Sequence, residues 1–409
     1  MKVVLLSTYG GGGAGLAARR QLKALRKSNQ QVNMLTALED IPEEGVFAVY
    51  PKKWQKSFFL IRKFGEKVWM LPEEKSKDTR FAFSTAQLGM PILKHPVFQE
   101  ADIVHIHWVQ HGFVSLNTIQ QIINSGKKIV WTLHDEWVFT GGCHYTRGCQ
   151  NYLSGCGICP LLKHPNPADT SSKIYQKKEQ IFLNSPPIHF VGCSNWLTHK
   201  MKHSPLLKGH GFHSIPNPIS ISDFYPAPSS DRSSSKIRLL FIAQQVKDPR
   251  KGFSVLWEAL QLLSPDIQDK IKLIIVGNPL ASEYVSNHFE VEWKGTLKGV
   301  SAIREVYQSA EVMIVPSLED NLPNTIMEAM ACGLPVIGSD IGGIPEMIQH
   351  KITGWLAECG NPPSLQAGIS WMLDTENRKN CGNLARKWAE NQYAEEVVSQ
   401  QWQNLYTSI

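Results

Sequence analysis

Two acids eight positions apart, Asp320 and Glu328, frame the stretch PSLEDNLPNTIMEAMACG over residues 316–333. The preceding Val312–Val315 reads as a buried strand, and Asp320–Leu322 as the loop that leaves it. A helix is expected from near Pro323, since proline suits a first helical turn, and Gly333 and Pro335 stop it. The free N–H groups and positive dipole at that helix start suit a diphosphate. Asp320, just before the helix, and Glu328, about one turn inside it, would then grip polar groups on either side of the phosphates. The competing reading is that the two are an ordinary loop acid and a solvated helix acid.

A second constellation is FIAQQVKDPRKGFSVLWEAL, residues 241–260. A strand runs into a loop, and Lys251-Gly252 opens the next helix. VGNPL (276–280), Gly295-Thr296 and Gly342-Gly343 read as turns between strands and helices.

Nearer the start, Tyr9 is followed by Gly10-Gly11-Gly12-Gly13-Ala14-Gly15. Glycines after a strand let the backbone approach a ligand at a helix N-terminus. The run is not a clean GxGxxG with a downstream ribose-binding acid, so a dinucleotide site is only weakly indicated. DIVHIHWVQHG and TLHDEW place His107 and His134 at strand ends, where sites of α/β sheets lie; a structural role is the competing reading.

Immediately after comes Cys143-x5-Cys149-x6-Cys156-x2-Cys159, four of the chain's eight cysteines in 17 residues. The closing CxxC is a usual half-site, and four thiolates complete a tetrahedral zinc shell. His144 is an alternative fourth ligand, and disulfides or free thiols remain open. The zinc expected here is structural, stiffening a long loop.

The elements that position these groups alternate regularly. Strands are expected at Lys2–Ser7, Gln31–Thr36, Asp102–His107, Lys128–Leu133 and Ile188–Cys193, then at Ile237–Ala243, Ile271–Val276, Val312–Val315 and Pro335–Gly338. Helices lie between them, including Leu16–Lys27, Ser115–Asn124, Phe253–Leu263, Ser301–Gln308 and Asn324–Cys332. Strand–helix alternation means a parallel, doubly wound sheet. At 409 residues and 42% hydrophobic content, the chain suits two such domains. The Pro/Ser-rich stretch IPNPIS…PAPSSDRSSS interrupts the alternation and reads as a linker. The expected division is a first Rossmann-like domain over 1–216, a linker over 217–236 and a second over 237–384. A final helix over 385–409 would cross back to the first domain. A cleft is expected where the two domains face each other.

No run reaches the 18 apolar residues of a membrane span, and the start MKVVLLSTYGGGG lacks the pattern of a signal peptide. The expectation is a cytoplasmic protein, at most peripheral on the inner face of a membrane. Charge is uneven: 26 Lys+Arg against 14 Asp+Glu up to Pro216, and 16 against 22 beyond it. The first half therefore faces something anionic. No nucleic-acid module is visible, and nucleic acid is not expected as a partner. Pro51–Met70, wound as a helix, puts Trp54, Phe58, Ile61, Val68 and Trp69 on one face and Lys52, Lys56, Lys63 and Lys67 opposite. Such a helix either sits on an anionic membrane surface or packs its apolar face on the domain.

The 316–346 segment, with its spaced acids followed by EAMACGLPV, resembles the donor-binding signature of the GT-B fold glycosyltransferases of family 4. The resemblance extends over essentially the whole chain and is densest over 238–356. It implies two Rossmann-like domains facing a cleft, with acceptor on the first and nucleoside diphosphate sugar on the second. Carried over, Asp320 and the amides of Asn321 and Leu322 hold the sugar's hydroxyls, and Glu328 the ribose. Asn324 opens the helix that stabilises the diphosphate. The family's usual first acid is Glu, so Asp320 is a departure, with Glu319 beside it. Lys251 matches a phosphate-binding lysine. The family's other basic position is Gln244 here, and Arg250 is placed to share its task. Asn278 falls in a loop near the base. Gly11, Gly12 and Gly13 line the cleft between acceptor and diphosphate, while His134 and, less closely, His107 sit beside the reacting sugar. The cysteine loop resembles an insertion found in a bacterial subset of the family.

The function so implied is retaining hexosyl transfer to a glycan or lipid-linked glycan in surface polysaccharide biosynthesis. Lysine would do the work of a divalent cation, and no Asp-x-Asp triplet occurs, so no catalytic cofactor is expected. The alternatives are a nucleotide-sugar 2-epimerase of the same fold and a non-catalytic nucleotide-sugar-binding partner.

Overall fold

Among the described residues, thirteen segments of three to nine residues, the central ones rich in apolar side chains, become strands of two parallel sheets. In chain order they are β1 Lys2–Leu6, β2 Gln31–Thr36, β3 Val46–Ala48, β4 Ile103–Ile106, β5 Lys128–Leu133, β6 His189–Gly192 and β7 Gly211–Ser214. After these come β8 Ile237–Gln245, β9 Ile271–Asn278, β10 Glu290–Gly295, β11 Val312–Val315, β12 Val336–Ser339 and β13 Gly354–Ala357. The computed structural model describes all residues except 39–40, 77–78, 229–235, 279–285 and 287. Pro279 and Leu280 of the VGNPL turn and the serine-rich part of the expected linker fall outside the described residues.

The chain divides into Met1–Pro216 with Ser399–Ile409, and Asn217–Val398. The first unit carries a seven-stranded sheet, β3-β2-β1-β4-β5-β6-β7, and the second a six-stranded one, β10-β9-β8-β11-β12-β13. All the described pairings are parallel. Strand order reverses between β1 and β4 in the first unit and between β8 and β11 in the second. Ligands of doubly wound sheets bind outside the carboxyl ends of the strands at such a reversal. Each sheet has its own core: Val4, Leu6, Val104, Ile106 and Trp131 in the first, Leu239, Phe241, Leu273, Ile275 and Ile314 in the second.

Two expectations about organisation change in detail. The described linker residues from Asn217 count with the second unit, with Ile219 and Phe224 buried. The last helix is two helices, Thr375–Tyr393 and Glu395–Ser408, broken at Ala394. There the Ile219 amide donates to the Tyr393 carbonyl, which takes that carbonyl out of the helical ladder. Tyr406, on the second of these helices, packs under β4: its hydroxyl lies 2.6 Å from His105 Nδ1 and accepts from Gln21 Nε2.

Candidate functional site

In the second unit the groups expected to hold a donor gather at the β8/β11 reversal. Lys251, in the turn after β8, places Nζ 2.6 Å from Oδ2 of Asp320, in the loop after β11. Asp320 is largely buried, and Lys251 is less so. Ser317 Oγ donates to Asp320 Oδ2 at 3.4 Å, and the Asn321 amide to Oδ1 at 3.1 Å. The carboxylate is thereby held in one orientation, and the Asn321 amide is committed to it.

Backbone contact fixes the loops around this pair. Gly252 has φ +67°, and a Cβ there would stand 1.8 Å from the Pro316 carbonyl oxygen. Gly342, φ +62°, would meet the Asp320 carbonyl oxygen at the same distance. Only glycine permits both approaches, so the Gly252 and Gly342 loops close backbone to backbone on the two ends of the 316–320 loop. The Leu318 amide adds a hydrogen bond to the Arg250 carbonyl, 2.7 Å.

The helix after Asp320 runs Asn324–Ala331 and has no side-chain cap at its start. Asn324 Oδ1 accepts from Asn217 Nδ2 at 3.4 Å, and Leu322 is buried. Glu328 is buried on the inner side of the helix, and Tyr307 donates its hydroxyl to Oε2 at 2.8 Å. Arg250 is ion-paired with Asp248 rather than with Asp320. Gln244 is exposed, and Asn278 Oδ1 accepts from Thr296 Oγ1 at 2.9 Å. Tyr307 was not foreseen; it lies 21 residues from its partner, on a helix whose pattern signals only packing.

In the first unit, Gly11 caps the helix Gly12–Lys27, which begins four residues earlier than its apolar spacing suggests. Gly12 and Gly13 are exposed at its start. His107, just after β4, and His134, just after β5, meet with Nδ1 and Nε2 3.0 Å apart. His105 stacks on His107, ring centres 4.4 Å apart. Burial drives all three imidazoles toward the neutral form, His134 to a pKa of about 4 and His105 and His107 well below the usual value. His107 Nε2 is buried with no partner among the described residues, an opening for a ligand hydroxyl or a water.

Beside this row stands Asp135, from the same TLHDEW run as His134. Asp135 Oδ2 accepts from Trp108 Nε1 (2.9 Å) and pairs with His144 Nδ1 (2.7 Å), while Oδ1 accepts the Trp137 amide. Burial alone would raise the Asp135 pKa, but the charge and hydrogen bond of His144 outweigh it and hold the carboxyl below its usual range. His144 Nε2 contacts Ser84 Oγ at 2.8 Å. Both ring nitrogens of His144 therefore have protein partners. Cys143, Cys149, Cys156 and Cys159 do line one small cavity. Among the described residues, however, no three His, Cys, Asp or Glu side chains stand already gathered as a metal shell.

The helix expected over Pro51–Met70 is a short turn, Lys53–Gln55, followed by Lys56–Met70. Its buried side is Phe59, Glu66 and Met70. Glu66 anchors it by accepting from Thr85 Oγ1 and the Leu88 amide, both at 2.5 Å. The apolar face is not packed on the domain: Trp54, Phe58, Leu60, Ile61, Phe64, Val68, Trp69 and Leu71 are all exposed. Among the described residues no helix is long and apolar enough to cross a membrane.

Compared with known proteins, residues 236–375 match the family model described as glycosyl transferases group 1. The second unit carries a group 1 glycosyl transferase domain. That domain contains Lys251, Asp320 and Glu328. Among curated relatives, the chain is 25% identical over 272 residues to the proposed colanic acid biosynthesis glycosyl transferase WcaC of Escherichia coli, covering 61% of this chain and 62% of that protein. It is 30% identical over 166 residues to the N,N'-diacetylbacillosaminyl-diphospho-undecaprenol alpha-1,3-N-acetylgalactosaminyltransferase of Campylobacter jejuni, 39% of this chain and 42% of that one. The matches thus span less than two thirds of either relative. The solved structure of Anabaena HepE in complex with UDP-glucose is similar over 100% of both chains, with TM-score 0.63 and 15% identity. That likeness shows the fold, GT-B, with two Rossmann-like units.

Proposed function

We propose that the chain is a retaining glycosyltransferase moving a hexosyl group from a nucleoside diphosphate sugar to a glycan or lipid-linked glycan, in bacterial surface polysaccharide assembly. The observation that carries this reading is the Lys251–Asp320 pair at the β8/β11 reversal, ahead of the uncapped helix at Asn324. An ammonium and a helix N-terminus side by side suit a diphosphate leaving group. Asp320, fixed by Lys251, Ser317 and the Asn321 amide, presents its carboxylate to sugar hydroxyls. Glu328, steadied by Tyr307, takes the ribose. In the transfer, the acceptor oxygen bonds to the anomeric carbon as the bond to the diphosphate breaks. The acceptor proton passes to a departing phosphate oxygen. Lys251 stabilises the charge that develops there, and no divalent cation is required. The HepE complex makes UDP-glucose the first donor to try.

The first unit takes the acceptor, with neutral His107 and His134 as hydrogen-bonding partners for its hydroxyls. The exposed apolar face of Lys56–Met70 supports an acceptor presented at a membrane. Lys56, Lys63 and Lys67 lie along the border between that face and the buried one, at the level anionic head groups would occupy. Lys63 and Lys67 also line a cavity of about 110 Å³ with His111 and Glu66. A cytoplasmic protein on the inner face of the membrane would meet both substrates.

The test is incubation with UDP- and GDP-sugars, with and without membrane glycolipids. Acceptor-dependent nucleotide release is expected. A new nucleotide-sugar epimer, or donor binding without either outcome, would overturn the transferase reading in favour of an epimerase or a non-catalytic partner.

A further inference from the structure

The loop between β5 and the helix Thr170–Leu183 is built around sulfur. Cys143, Cys149, Cys156 and Cys159 line a single cavity of about 20 Å³, shared with Phe83, Thr146, Asn151, Tyr152 and Ser171, and none of the four is in a disulfide. One of the sulfurs already accepts a peptide N–H group. The Gly141 amide donates to Cys156 Sγ at 3.2 Å. A thiol is a weak acceptor and gains little from an amide, whereas thiolates on a metal are held and oriented by such bonds. The turns are tight: Gly155, Cys156, Gly157 and Ile158 all have positive φ, and Cys156 and Ile158 are not glycine. Backbone in that region persists only where its surroundings fix it.

A second observation is independent of the cysteines. Lys178 is completely buried, donates to the carbonyls of Trp137 and Thr140, and lies 3.5 Å from the centre of the Trp137 ring. No carboxylate forms an ion pair with it among the described residues; the groups near enough to act on its charge are Asp135 and the sulfurs of Cys143 and Cys156, which become anions only as thiolates. A buried ammonium is costly unless an anion lies nearby.

We propose that Cys143, Cys149, Cys156 and Cys159 bind one zinc ion as four thiolates, with Lys178 as its buried counter-charge. A zinc ion with four thiolates is formally doubly negative, so the cluster and the ammonium offset one another across the Trp137–Thr140 turn. The sulfurs turn in from the cavity wall to about 2.3 Å from the ion, and each bound thiolate has released its proton to solvent. The ion does no chemistry on substrate. It locks the turn that holds His144 on Asp135 and the Thr146 amide on Glu136, so the loop beside His134 is fixed by metal rather than by a large core.

The experiment is elemental analysis of the full chain purified without added metal. About one zinc per chain is expected. Cys149→Ser and Cys156→Ser should each lose most of it, and Cys381→Ala should keep it. Because the serine variants risk misfolding, the wild type is also exchanged with cobalt(II), and a tetrahedral thiolate–cobalt spectrum is expected. Stepwise thiol blocking should release zinc in proportion. Less than about half an equivalent of zinc in native protein would overturn the proposal. So would disulfides found by mass measurement, or zinc retained in Cys156→Ser.

Discussion

Lys251 Nζ and Asp320 Oδ2 lie 2.6 Å apart although 69 residues separate them in sequence. The contact ties the turn after β8 to the loop after β11, so one ion pair both closes the site and positions its two charges. Removing the ammonium leaves a largely buried carboxylate without its main counter-charge. Lys251→Met should therefore cost stability, about 3 kcal/mol by urea melts, as for other broken buried pairs. Its turnover with a UDP-sugar should fall about 100-fold or more, the scale of a lost electrostatic stabiliser. Lys251→Met combined with Asp320→Asn should regain stability but not turnover. If the double variant regains both, the pair is structural only.

How far the sequence reveals this arrangement depends on position in the sheets. The nine strands expected from apolar runs are all present, and the ends of Gln31–Thr36, Lys128–Leu133 and Val312–Val315 fall where expected. The four strands not foreseen, β3, β7, β10 and β13, are the four sheet edges. A central parallel strand is buried on both faces and must be apolar throughout, whereas an edge strand is not so constrained. β10 reads EVEWKG and β7 GFHS, with no continuous apolar run. The site divides in the same way. Asp320, Lys251 and the histidines announce themselves by type at strand ends. The partners within and around the site, Ser317 on Asp320, Tyr307 on Glu328 and Trp108 on Asp135, lie 3, 21 and 27 positions from the groups they hold. No local pattern marks them.

Tyr307 and Glu328 supply a cleaner test of positioning. Tyr307→Phe deletes one hydroxyl in a buried site and leaves the ring contact with Phe224 in place. Destabilisation of about 1–3 kcal/mol is expected from a buried acceptor losing its donor. If Glu328 holds the ribose in the orientation set by Tyr307, KM for the donor should also rise, while kcat changes less. A stability loss with unchanged KM would assign Glu328 to the core alone.

The histidine row sets a pH limit. His134 has its pKa lowered from 6.5 to about 4, and His105 and His107 are lowered as well, burial being the main cause. Between these values the unfolded chain binds protons that the folded chain refuses, so stability falls as pH falls. It should be fully present above about pH 6.5 and lost progressively toward pH 4. Denaturant midpoints measured across that range should show the slope, and His134→Gln, which cannot titrate, should flatten it. An unchanged slope would mean that other groups carry the acid sensitivity.

The helix Lys56–Met70 makes the membrane proposal open to a direct test. At about 100° per residue, Trp54, Phe58, Leu60, Ile61, Phe64, Val68, Trp69 and Leu71 fill roughly half of its circumference, facing away from Phe59, Glu66 and Met70. Ile61 is 65% exposed and Phe64 66%, so neither contributes to the core. Ile61→Asp and Phe64→Asp should leave the melting transition unchanged but abolish co-sedimentation with vesicles containing anionic lipid. Each lost side chain removes roughly 2 kcal/mol of apolar transfer. Lys56→Glu with Lys67→Glu should weaken binding most at low salt, where the electrostatic part is unscreened. Turnover on a water-soluble glycan acceptor should be the same in all these variants, with loss confined to acceptors held in vesicles. Wild-type protein that stays in the supernatant at low salt would end the membrane assignment, leaving the Lys251–Asp320 site untouched.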